Sequence, residues 1–309
     1  MHPQDKVFIV TGASSGLGHA TARLLLQRGA YVAALDLREP DEGAFAPFVP
    51  AVEGKGGEGK NAKSAFTVGA PLPNGKDASA GKDSGSGDRL FFTRCDVGNE
   101  ESVDAAIEAV KKHWPGKRWG GVVHCGGVGM VGKTVGNDGT PFSFDMFQEV
   151  HRINLLGTFL ITSRVASVLV SQYLSSLPSS SSSSRAPPQA EEDQGVLVVT
   201  SSVSATEGQM GQTAYASSKA AVEGLTLPMA RDLARYGIRV MCLAPSLFAT
   251  SMGKNTSPKV KQSLLATTLF PVRFGQADEF AQLAVQVVEN GYLNGGVIRI
   301  DGGSRMAKM

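Results

Sequence analysis

Ser202, Tyr215 and Lys219 have the residue types and the spacing that proton transfer to or from a carbon-bound oxygen requires. Ser202 follows an apolar run at residues 196–200, which predicts a buried strand with a hydroxyl at its carboxyl end. Tyr215 and Lys219 are at i and i+4, so a helix would place them on one face, one turn apart. A neighbouring cation lowers the pKa of a phenol. A free tyrosine has a pKa near ~10, so titration near neutral pH requires that pKa to fall by roughly three. Such a tyrosine is a general base for an alcohol or a general acid for a carbonyl.

A glycine-rich turn near the amino terminus has the layout of a phosphate-binding site. It follows an apolar run at residues 7–10 and precedes a segment with helical spacing. Its glycines permit a tight turn, a close approach of backbone to a pyrophosphate and close packing of helix on sheet. The N–H groups at the start of that helix would bind the phosphates. The predicted phosphate-binding residues are Gly12, Ser14, Ser15, Gly16, Leu17 and Gly18.

Asp36 ends the second apolar run, residues 31–35, in register with the glycine turn. A carboxylate there can accept both ribose hydroxyls of NAD and would repel the extra phosphate of NADP. The glycine turn contains no basic residue that would offset this repulsion, although Arg38 lies two positions beyond Asp36. The sequence therefore predicts NAD as the cofactor.

Strand and helix patterns then alternate to residue 300, which is typical of a parallel sheet. The predicted fold is α/β, a single doubly wound Rossmann-type parallel sheet with helices on both faces. The predicted elements after the second strand cover residues 90–93, 102–113, 121–123, 144–170, 196–200, 215–236, 239–244 and 297–300.

Two segments break this alternation. Residues 39–89 are rich in Gly, Lys, Asp and Ser, and residues 175–194 include six consecutive serines, 179–184. Neither segment has enough apolar side chains to offset the entropy cost of ordering it. We interpret both as flexible insertions into one domain that spans residues 1–309.

The bulk composition bears on partners and compartment. The net charge of +2 indicates neither a nucleic-acid nor a membrane partner. Three well-separated cysteines fit a reducing compartment, and they predict no disulfide framework and no zinc site. The five histidines show no ligand spacing, so no metal is expected. The most apolar stretch, residues 153–170, contains Ser163 and Arg164, which favours a buried or interface helix over a membrane span.

In this order, the motifs resemble the short-chain dehydrogenase/reductase family over nearly the whole chain outside the two insertions. The resemblance is closer still to its branch of short-chain 3-hydroxyacyl-CoA dehydrogenases, that of 17β-hydroxysteroid dehydrogenase type 10. Residues 207–215, 225–233 and 292–302 carry the resemblance to this branch. The family motifs are residues 11–18, 95–97, 123–127 and 154–158, Ser202, the segment from Tyr215 to Lys219, and residues 244–250.

The resemblance implies hydride transfer between NAD and 3-hydroxyacyl-CoA or 3-oxoacyl-CoA, with hydroxysteroids as further substrates, in a homotetramer. Asn154 would join Ser202, Tyr215 and Lys219 in the catalytic set by supporting a water, and Gln212 would join Ser202 and Tyr215 at the substrate. The implied cofactor contacts beyond the glycine turn and Asp36 are Asp96, Val97, Cys125, Gly126, Tyr215, Lys219, Pro245, Leu247 and Thr250.

Two other function classes stay open. An NADPH-dependent 3-oxoacyl thioester reductase would share the catalytic residues, but Asp36 disfavours it. A non-catalytic dinucleotide-binding scaffold subunit would not need the complete catalytic set. Single residues also have simpler structural roles available: Ser202 as a strand-end serine bonded to backbone, Asn154 as a polar helix residue, and Asp36 and Gln212 as solvated loop residues.

The chain departs from the family pattern at three positions, where the family usually has Asn, Ala and Gly: His124, Gly126 and Ser246. His124 would replace a buried amide that ties neighbouring strands, so an altered centre of the sheet is expected. Because Ser246 replaces the usual glycine, the start of the substrate loop is expected to differ from the family pattern.

The last three residues, Ala307-Lys308-Met309, are similar to the Ser-Lys-Leu peroxisomal address. They predict a peroxisomal location, which suits a fatty-acyl-CoA substrate. A mitochondrial location, as in close relatives of the branch, and a cytoplasmic location are the alternatives.

Overall fold

The computed structural model describes residues 1–41, 44–45, 67–68, 89–178, 189–250, 262 and 265–306. Most of the two predicted insertions lies outside the described residues, and so does the carboxyl-terminal tripeptide 307–309.

One parallel sheet organises the described chain, in the order β3-β4-β2-β1-β5-β6-β7-β8. The doubly wound fold predicted from the sequence is confirmed. The strand order reverses between β1 and β5, and ligands of such sheets bind at the carboxyl ends of the strands that flank this point. The strands are β1 Val7–Thr11, β2 Tyr31–Asp36, β3 Thr67–Val68, β4 Leu90–Arg94, β5 Trp119–His124, β6 Gly195–Thr200, β7 Ile238–Pro245 and β8 Val297–Ile300.

Helices cover both faces of the sheet, because the central strands are apolar on both sides. Helix α1 (Gly16–Gln27) and helix α6 (Ala277–Glu289) pack on one face. Helices α2 (Glu100–His113), α4 (Gly157–Ser176) and α5 (Thr213–Leu233) contribute to the core on the other face. The predicted elements do not include α6, although its apolar residues Phe280, Ala284 and Val288 recur at helical spacing and are fully buried.

The predicted helix over residues 144–170 is a composite of three parts. Helix α3 (Phe144–His151) leads into a π-helical turn, Arg152–Leu156, and α4 continues from it to Ser176. This run is the one described helix long and apolar enough to cross a membrane, with a mean hydropathy of 1.7, and 44% of its apolar window is buried. Such a run is weak evidence for a span, since core helices meet the same criterion. A single wider turn shifts the helical register, so side chains on its two sides face different neighbours.

The described margins of the predicted insertions are packed against the domain. Phe45 is buried in the core beside the ring of His19, with 4.5 Å between the ring centroids. Strand β3 pairs with β4 inside the first predicted insertion. Ser175 and Ser176 extend α4, and Gln194 bonds to the Gly237 carbonyl. Polar composition therefore overestimates the extent of both segments, because a few tertiary contacts order their edges.

Candidate active site

Strand β6 and helix α5 bring Ser202 and Tyr215 together. Ser202 lies just beyond the carboxyl end of β6, is 8% exposed, and accepts a hydrogen bond from the Ser204 N–H at 3.1 Å. Tyr215 lies in the first turn of α5, half-buried, with its phenol close enough to the Ser202 side chain for the serine to act on the pKa of the phenol. The serine thus both caps the short 3-10 helix at residues 203–205 and faces the phenol.

Lys219 lies one turn further along α5 and is buried. Its Nζ donates to the Thr200 carbonyl at 2.9 Å and lies 5.9 Å from the centroid of the Tyr215 ring. Burial lowers the pKa of Lys219 to about 8, against the opposing effect of the nearby thiols Cys242 and Cys125.

The expected lowering of the Tyr215 pKa by Lys219 is wrong for the chain alone. Burial raises the pKa of this phenol, and the hydrogen bond with Ser202 opposes that shift only in part. The physical reason is that the ammonium is bonded to a main-chain carbonyl on β6, while the tyrosine has lost its water. The ground state of the chain therefore holds a neutral phenol, the form that donates a proton.

Asn154 lies in the π-helical turn and is fully buried. Its amide oxygen accepts from the Val128 N–H at 2.9 Å, and its Nδ2 donates to the Val128 carbonyl and to Ser218 Oγ, each at 3.0 Å. Asn154 Oδ1 and Lys219 Nζ also flank the same glycine, since a Cβ on Gly127 would lie 3.0 and 3.4 Å from them. The Asn154 amide therefore links the segment after β5 to helix α5. Its oxygen and the Lys219 ammonium both lie beside Gly127.

The glycine turn forms a tight cradle at the carboxyl end of β1. Gly12 and Gly16 have φ angles of +65° and +57°, which side chains rarely adopt. A Cβ on Gly18 would lie 2.3 Å from the Gly12 carbonyl oxygen, and one on Gly16 would lie 3.2 Å from Thr250. The first turn of α1 contains no acidic residue, so its N–H groups face no competing anion from within the helix.

The segment around Cys125 closes the cradle from the β5 side. Thr11 Oγ1 accepts from the N–H groups of Cys125 and Gly126 at 3.2 and 3.0 Å, and it lies 2.7 Å from His124 Nδ1. A Cβ on Gly12 would lie 3.1 Å from this segment. The predicted cofactor residues Gly12, Cys125 and Gly126 therefore meet in one place.

His124 does not distort the sheet. The pairing of β1 with β5 is regular at His124, and its one register shift lies at the opposite end, between Val7 and Phe8. The expectation of an altered sheet centre is wrong, because the imidazole finds a partner in Thr11 of the neighbouring strand. Its Nε2 is buried without a hydrogen-bond partner, and burial lowers the pKa of the ring to about 3. His124 is therefore a neutral, structural side chain.

Asp36 lies at the end of β2 and is half-buried. One carboxylate oxygen accepts from the Ser14 N–H at 3.0 Å and the other from the Arg38 N–H at 3.4 Å. Ser14 Oγ donates to the Arg38 carbonyl, while the exposed Ser15 occupies the N-cap position of α1 without a side-chain capping bond. The carboxylate is thus fixed beside the glycine turn, with exposed Arg38 two residues away.

Asp96 and Val97 follow β4, next to the π-helical turn. Asp96 accepts from the Gly98 N–H at 2.9 Å and forms an ion pair with Arg152 at 3.2 Å. Arg152 is also bonded to Glu149 by two nitrogens, at 2.7 and 2.8 Å. Val97 is buried against Gly157, where a Cβ would lie 3.0 Å from the valine side chain.

Strand β7 delivers the remaining predicted cofactor residues. Pro245 is buried at the end of the strand, and the Leu247 carbonyl accepts from the Gly275 N–H at 2.9 Å. Ser246 donates its N–H to the Ile300 carbonyl at 3.1 Å, and its Oγ is buried without a partner. The chain at Ser246 is therefore held between β7 and β8. Residues 251–261 lie outside the described part of the chain.

Gln212 lies at the amino-terminal end of α5, half-buried. Its side-chain oxygen accepts from the Gln209 N–H at 2.9 Å. In the chain alone, this side chain therefore braces the loop that precedes α5.

Four residues at the site were not identified from the sequence. Thr11 and Ser218 carried a usable signal, since each lies within a recognised motif, residues 11–18 and the segment from Tyr215 to Lys219. Arg152 and Thr200 had none, because their roles depend on contacts between distant segments. The four are Thr11, Arg152, Thr200 and Ser218.

Within the described residues, no group of three or more His, Cys, Asp or Glu side chains is placed to hold a metal ion. The three cysteines are free thiols.

The chain is similar to known proteins over nearly its whole length. The model of the family described as short chain dehydrogenase matches residues 73–261. The 3-hydroxyacyl-CoA dehydrogenase type-2 of Drosophila melanogaster is 34% identical over 304 residues, 98% of both chains. The human protein of that name is 34% identical over 97% of this chain and 95% of its own. A crystal structure of 3-hydroxyacyl-CoA dehydrogenase type-2 from Mycobacterium avium matches with a TM-score of 0.73 and 30% identity, covering 98% of this chain and 97% of that one.

Proposed function

The chain belongs to the short-chain dehydrogenase family, and we propose that it is an NAD-dependent oxidoreductase that interconverts 3-hydroxyacyl-CoA and 3-oxoacyl-CoA. The observation that carries the proposal is the juxtaposition of Ser202 and Tyr215, with buried Lys219 one turn away on the same helix and the glycine cradle at the carboxyl end of β1. The substrate class is supported by the fly and human relatives, which carry the name of that activity at 34% identity.

The described residues fit a nicotinamide dinucleotide, the cofactor that the family implies. The cradle has no room for a Cβ at Gly18, and a side chain at Gly12 or Gly16 would be strained, as expected where backbone approaches a pyrophosphate. Gly12, Gly16 and the start of α1 would hold the phosphates, and Asp36 the adenosine ribose. When bound, the nicotinamide supplies the hydride acceptor or donor of the reaction.

The side chains of the chain itself handle the proton. In reduction, the neutral Tyr215 phenol donates its proton to the substrate oxygen, and in oxidation the phenolate takes the hydroxyl proton. Ser202 donates a hydrogen bond to that oxygen and fixes its position, a contribution preorganised by the cap it makes at Ser204. Lys219 holds a buried ammonium one turn from the phenol, fixed on the Thr200 carbonyl, and Asn154 holds the segment beside it.

The preference for NAD over NADP rests on Asp36. Its carboxylate is held by two main-chain N–H groups and cannot move far from the place where a 2′-phosphate would lie. The exposed Arg38, two residues beyond Asp36, carries a charge of the opposite sign, which would favour a phosphate. The like-charge repulsion from Asp36 nevertheless decides the preference.

The assembly and the location are further parts of the proposal. A homotetramer is supported by the apolar side chains that α4 and α5 expose, Phe159 at 49% and Leu227 at 45%. A peroxisomal location rests on the tripeptide 307–309 alone, which lies outside the described residues. Deletion of the tripeptide from a tagged protein should redistribute it in the cell.

The test is NADH consumption with acetoacetyl-CoA, run in parallel with NADPH and with a Tyr215→Phe variant. We expect turnover with NADH, slower turnover with NADPH, and loss of roughly 1,000-fold or more in the variant. Circular dichroism and NADH binding of the variant control for its folding. NADH binding without turnover of this or other hydroxy and keto substrates would favour the scaffold alternative, and faster turnover with NADPH would favour the reductase.

A further inference from the structure

An ionic network outside the catalytic set joins the carboxyl-terminal end of the described chain to the loop between Ser202 and Tyr215. Glu207 lies in that loop. Its Oε1 is 2.8 Å from Arg299 Nη1 on β8, and its Oε2 accepts from the Met306 N–H at 2.9 Å. We name Glu207, Arg299, Asp301 and Arg305 the C-terminal clamp.

The arginine of the clamp is fixed from several sides. Arg299 Nε is 2.7 Å from Asp301 Oδ2, its Nη2 donates to the Ser304 carbonyl at 3.0 Å, and its Nη1 reaches Thr206 Oγ1 at 3.4 Å. Asp301 also accepts from the Gly303 N–H at 3.0 Å and pairs with Arg305 at 3.2 Å. A planar guanidinium held in this way presents Glu207 with one orientation only.

Three of the four clamp side chains are more sheltered than those of an ordinary surface ion pair. Asp301, Glu207 and Arg299 are 11%, 20% and 28% exposed, whereas Arg305 is exposed at the rim. Partial removal of water strengthens such bonds and reduces their screening by salt. The clamp is therefore able to hold a segment of main chain in place.

The loop that the clamp holds has backbone freedom of its own. Gly208 and Gly211 lie within it, and Gly211 has a φ of +81°. The other side of the loop bonds to the segment after β5 through the Gly211 carbonyl, which accepts from the Gly132 N–H at 2.8 Å. Ser202 begins this loop and Gln212 ends it, so its position sets both side chains relative to Tyr215.

We propose that Glu207 is a positioning residue of the reaction, because the C-terminal clamp fixes the loop at residues 203–212 and thereby the Ser202 hydroxyl against the Tyr215 phenol. This inference rests on the proposed dehydrogenase function. Glu207 itself does not touch the reacting atoms; it acts through the loop. A displacement of about 1 Å at a reacting centre can cost on the order of 100-fold in rate, so a partial loosening is expected to cost less.

The experiment uses Glu207→Gln in the full-length protein, with Glu289→Gln as the matched control. Glu289 pairs with Arg28 between α6 and α1, at 24% exposure, and does not contact the loop. The readouts are kcat, KM for NADH and for acetoacetyl-CoA, the melting temperature, and hydrogen exchange of residues 203–212 without cofactor.

We expect Glu207→Gln to lower kcat by roughly tenfold, with KM for NADH changed by less than about twofold. Hydrogen exchange at residues 203–212 should become faster, and the control should match the wild type in both readouts. Arg299→Lys keeps the positive charge but loses the planar, forked guanidinium. It should therefore lower kcat and speed hydrogen exchange at residues 203–212, each to a smaller extent than Glu207→Gln. It also serves if Glu207→Gln does not fold.

A double variant, Glu207→Gln with Arg299→Gln, tests whether the clamp acts as a unit. Its loss in kcat should not exceed that of the worse single variant. Three outcomes would overturn the inference. The losses in kcat of the two single variants could multiply in the double variant, or the Glu289→Gln control could lose as much kcat as Glu207→Gln. The third is that Glu207→Gln changes neither kcat nor hydrogen exchange at residues 203–212. If the wild type shows no turnover, the proposed function fails separately. Faster hydrogen exchange at residues 203–212 in Glu207→Gln would then still support the clamp, and unchanged hydrogen exchange would reject it.

Discussion

At the catalytic end of the site, the side chains that support Tyr215 are buried, whereas those at the end predicted to hold the adenosine are half-exposed. Asn154 and Lys219 expose 0% and 6%, while the side chains of Asp96 and Arg152 expose 34% each. At the buried end, Asn154 and Lys219 are bonded to the main chain, at Val128 and Thr200. At the other end, charges pair with charges near water. One lost hydrogen bond should therefore matter greatly at the first end and modestly at the second.

The largest effect is expected from Asn154→Ala. The substitution removes the partner of the Val128 N–H and carbonyl and the hydrogen bond that Ser218 Oγ accepts, although the Ser218 hydroxyl still donates to the Tyr215 carbonyl. We expect kcat to fall about 100-fold and the unfolding free energy to fall by about 3 kcal/mol, measured by steady-state kinetics and urea denaturation. Asn137→Ala, in an exposed loop, is the control. Similar losses in both variants would contradict the difference between buried and exposed sites.

A smaller effect is expected from the charge of Lys219, and it depends on pH. Burial lowers the pKa of Lys219 to about 8 from 10.5, so between these pH values the unfolded chain binds a proton that the folded chain does not. The stability contributed at this position should therefore rise with pH, by about 2 kcal/mol between pH 8 and pH 10, and stay flat below pH 8. The measurement is the unfolding free energy of the wild type minus that of Lys219→Met, across this range.

Subtraction of the variant is needed because the thiols act in the opposite direction. Burial raises the pKa of Cys95, Cys125 and Cys242 to about 12 from 9.0, so their contribution to stability is lost as the pH rises above 9. Burial is the largest cause of these shifts, so most of this loss is common to both proteins, and the smaller effect of Lys219 on Cys125 and Cys242 is not. A flat difference between them from pH 8 to pH 10 would show that Lys219 keeps its ordinary pKa.

At the half-exposed end, Asp36→Ala should relax the cofactor preference. Loss of the carboxylate removes the repulsion of a 2′-phosphate, and the ratio of kcat/KM for NADH to that for NADPH should fall by about tenfold, or ~1.4 kcal/mol. Adding Arg38→Ala should reverse part of the gain with NADPH, because the exposed cation favours the phosphate. An unchanged ratio in Asp36→Ala would reject the ribose assignment.

The smallest effect is expected from Arg152→Ala. Its removal frees the Asp96 carboxylate, which is still held by the Gly98 N–H. KM for NADH should rise about threefold with kcat unchanged, since the pair is half-exposed and screened. Arg164→Ala is the matched control, because Arg164 is 32% exposed and pairs with Asp104 and Glu100 on α2. A loss in kcat/KM for NADH larger than the loss that Asp36→Ala produces would contradict this ranking.

The sequence was most informative where one short segment carries the whole pattern. The glycine turn is bounded by an apolar strand and a helical repeat, and Tyr215 and Lys219 are one turn apart, so these features need no knowledge of distant contacts. The same holds for the alternation of strands and helices, which predicted the doubly wound sheet. Helix α6 has an equally local pattern, although the predicted elements do not include it.

Features that depend on the meeting of distant segments were decided by the tertiary structure. The pair of Asp96 with Arg152, the clamp between Glu207 and Arg299, and the bond from Lys219 to the Thr200 carbonyl each join separate elements. The direction of the Tyr215 pKa shift belongs with them, since it follows from burial rather than from the neighbouring charge.

The sequence by itself determined the fold class and the identity of the candidate proton-transfer residues, because hydrophobic period, glycine geometry and i, i+4 spacing are properties of a few consecutive residues. Only the tertiary structure decided which partners hold those residues and which of their charged forms is favoured. Burial and hydrogen-bond geometry are sums over neighbours from all parts of the chain, and no short segment contains them.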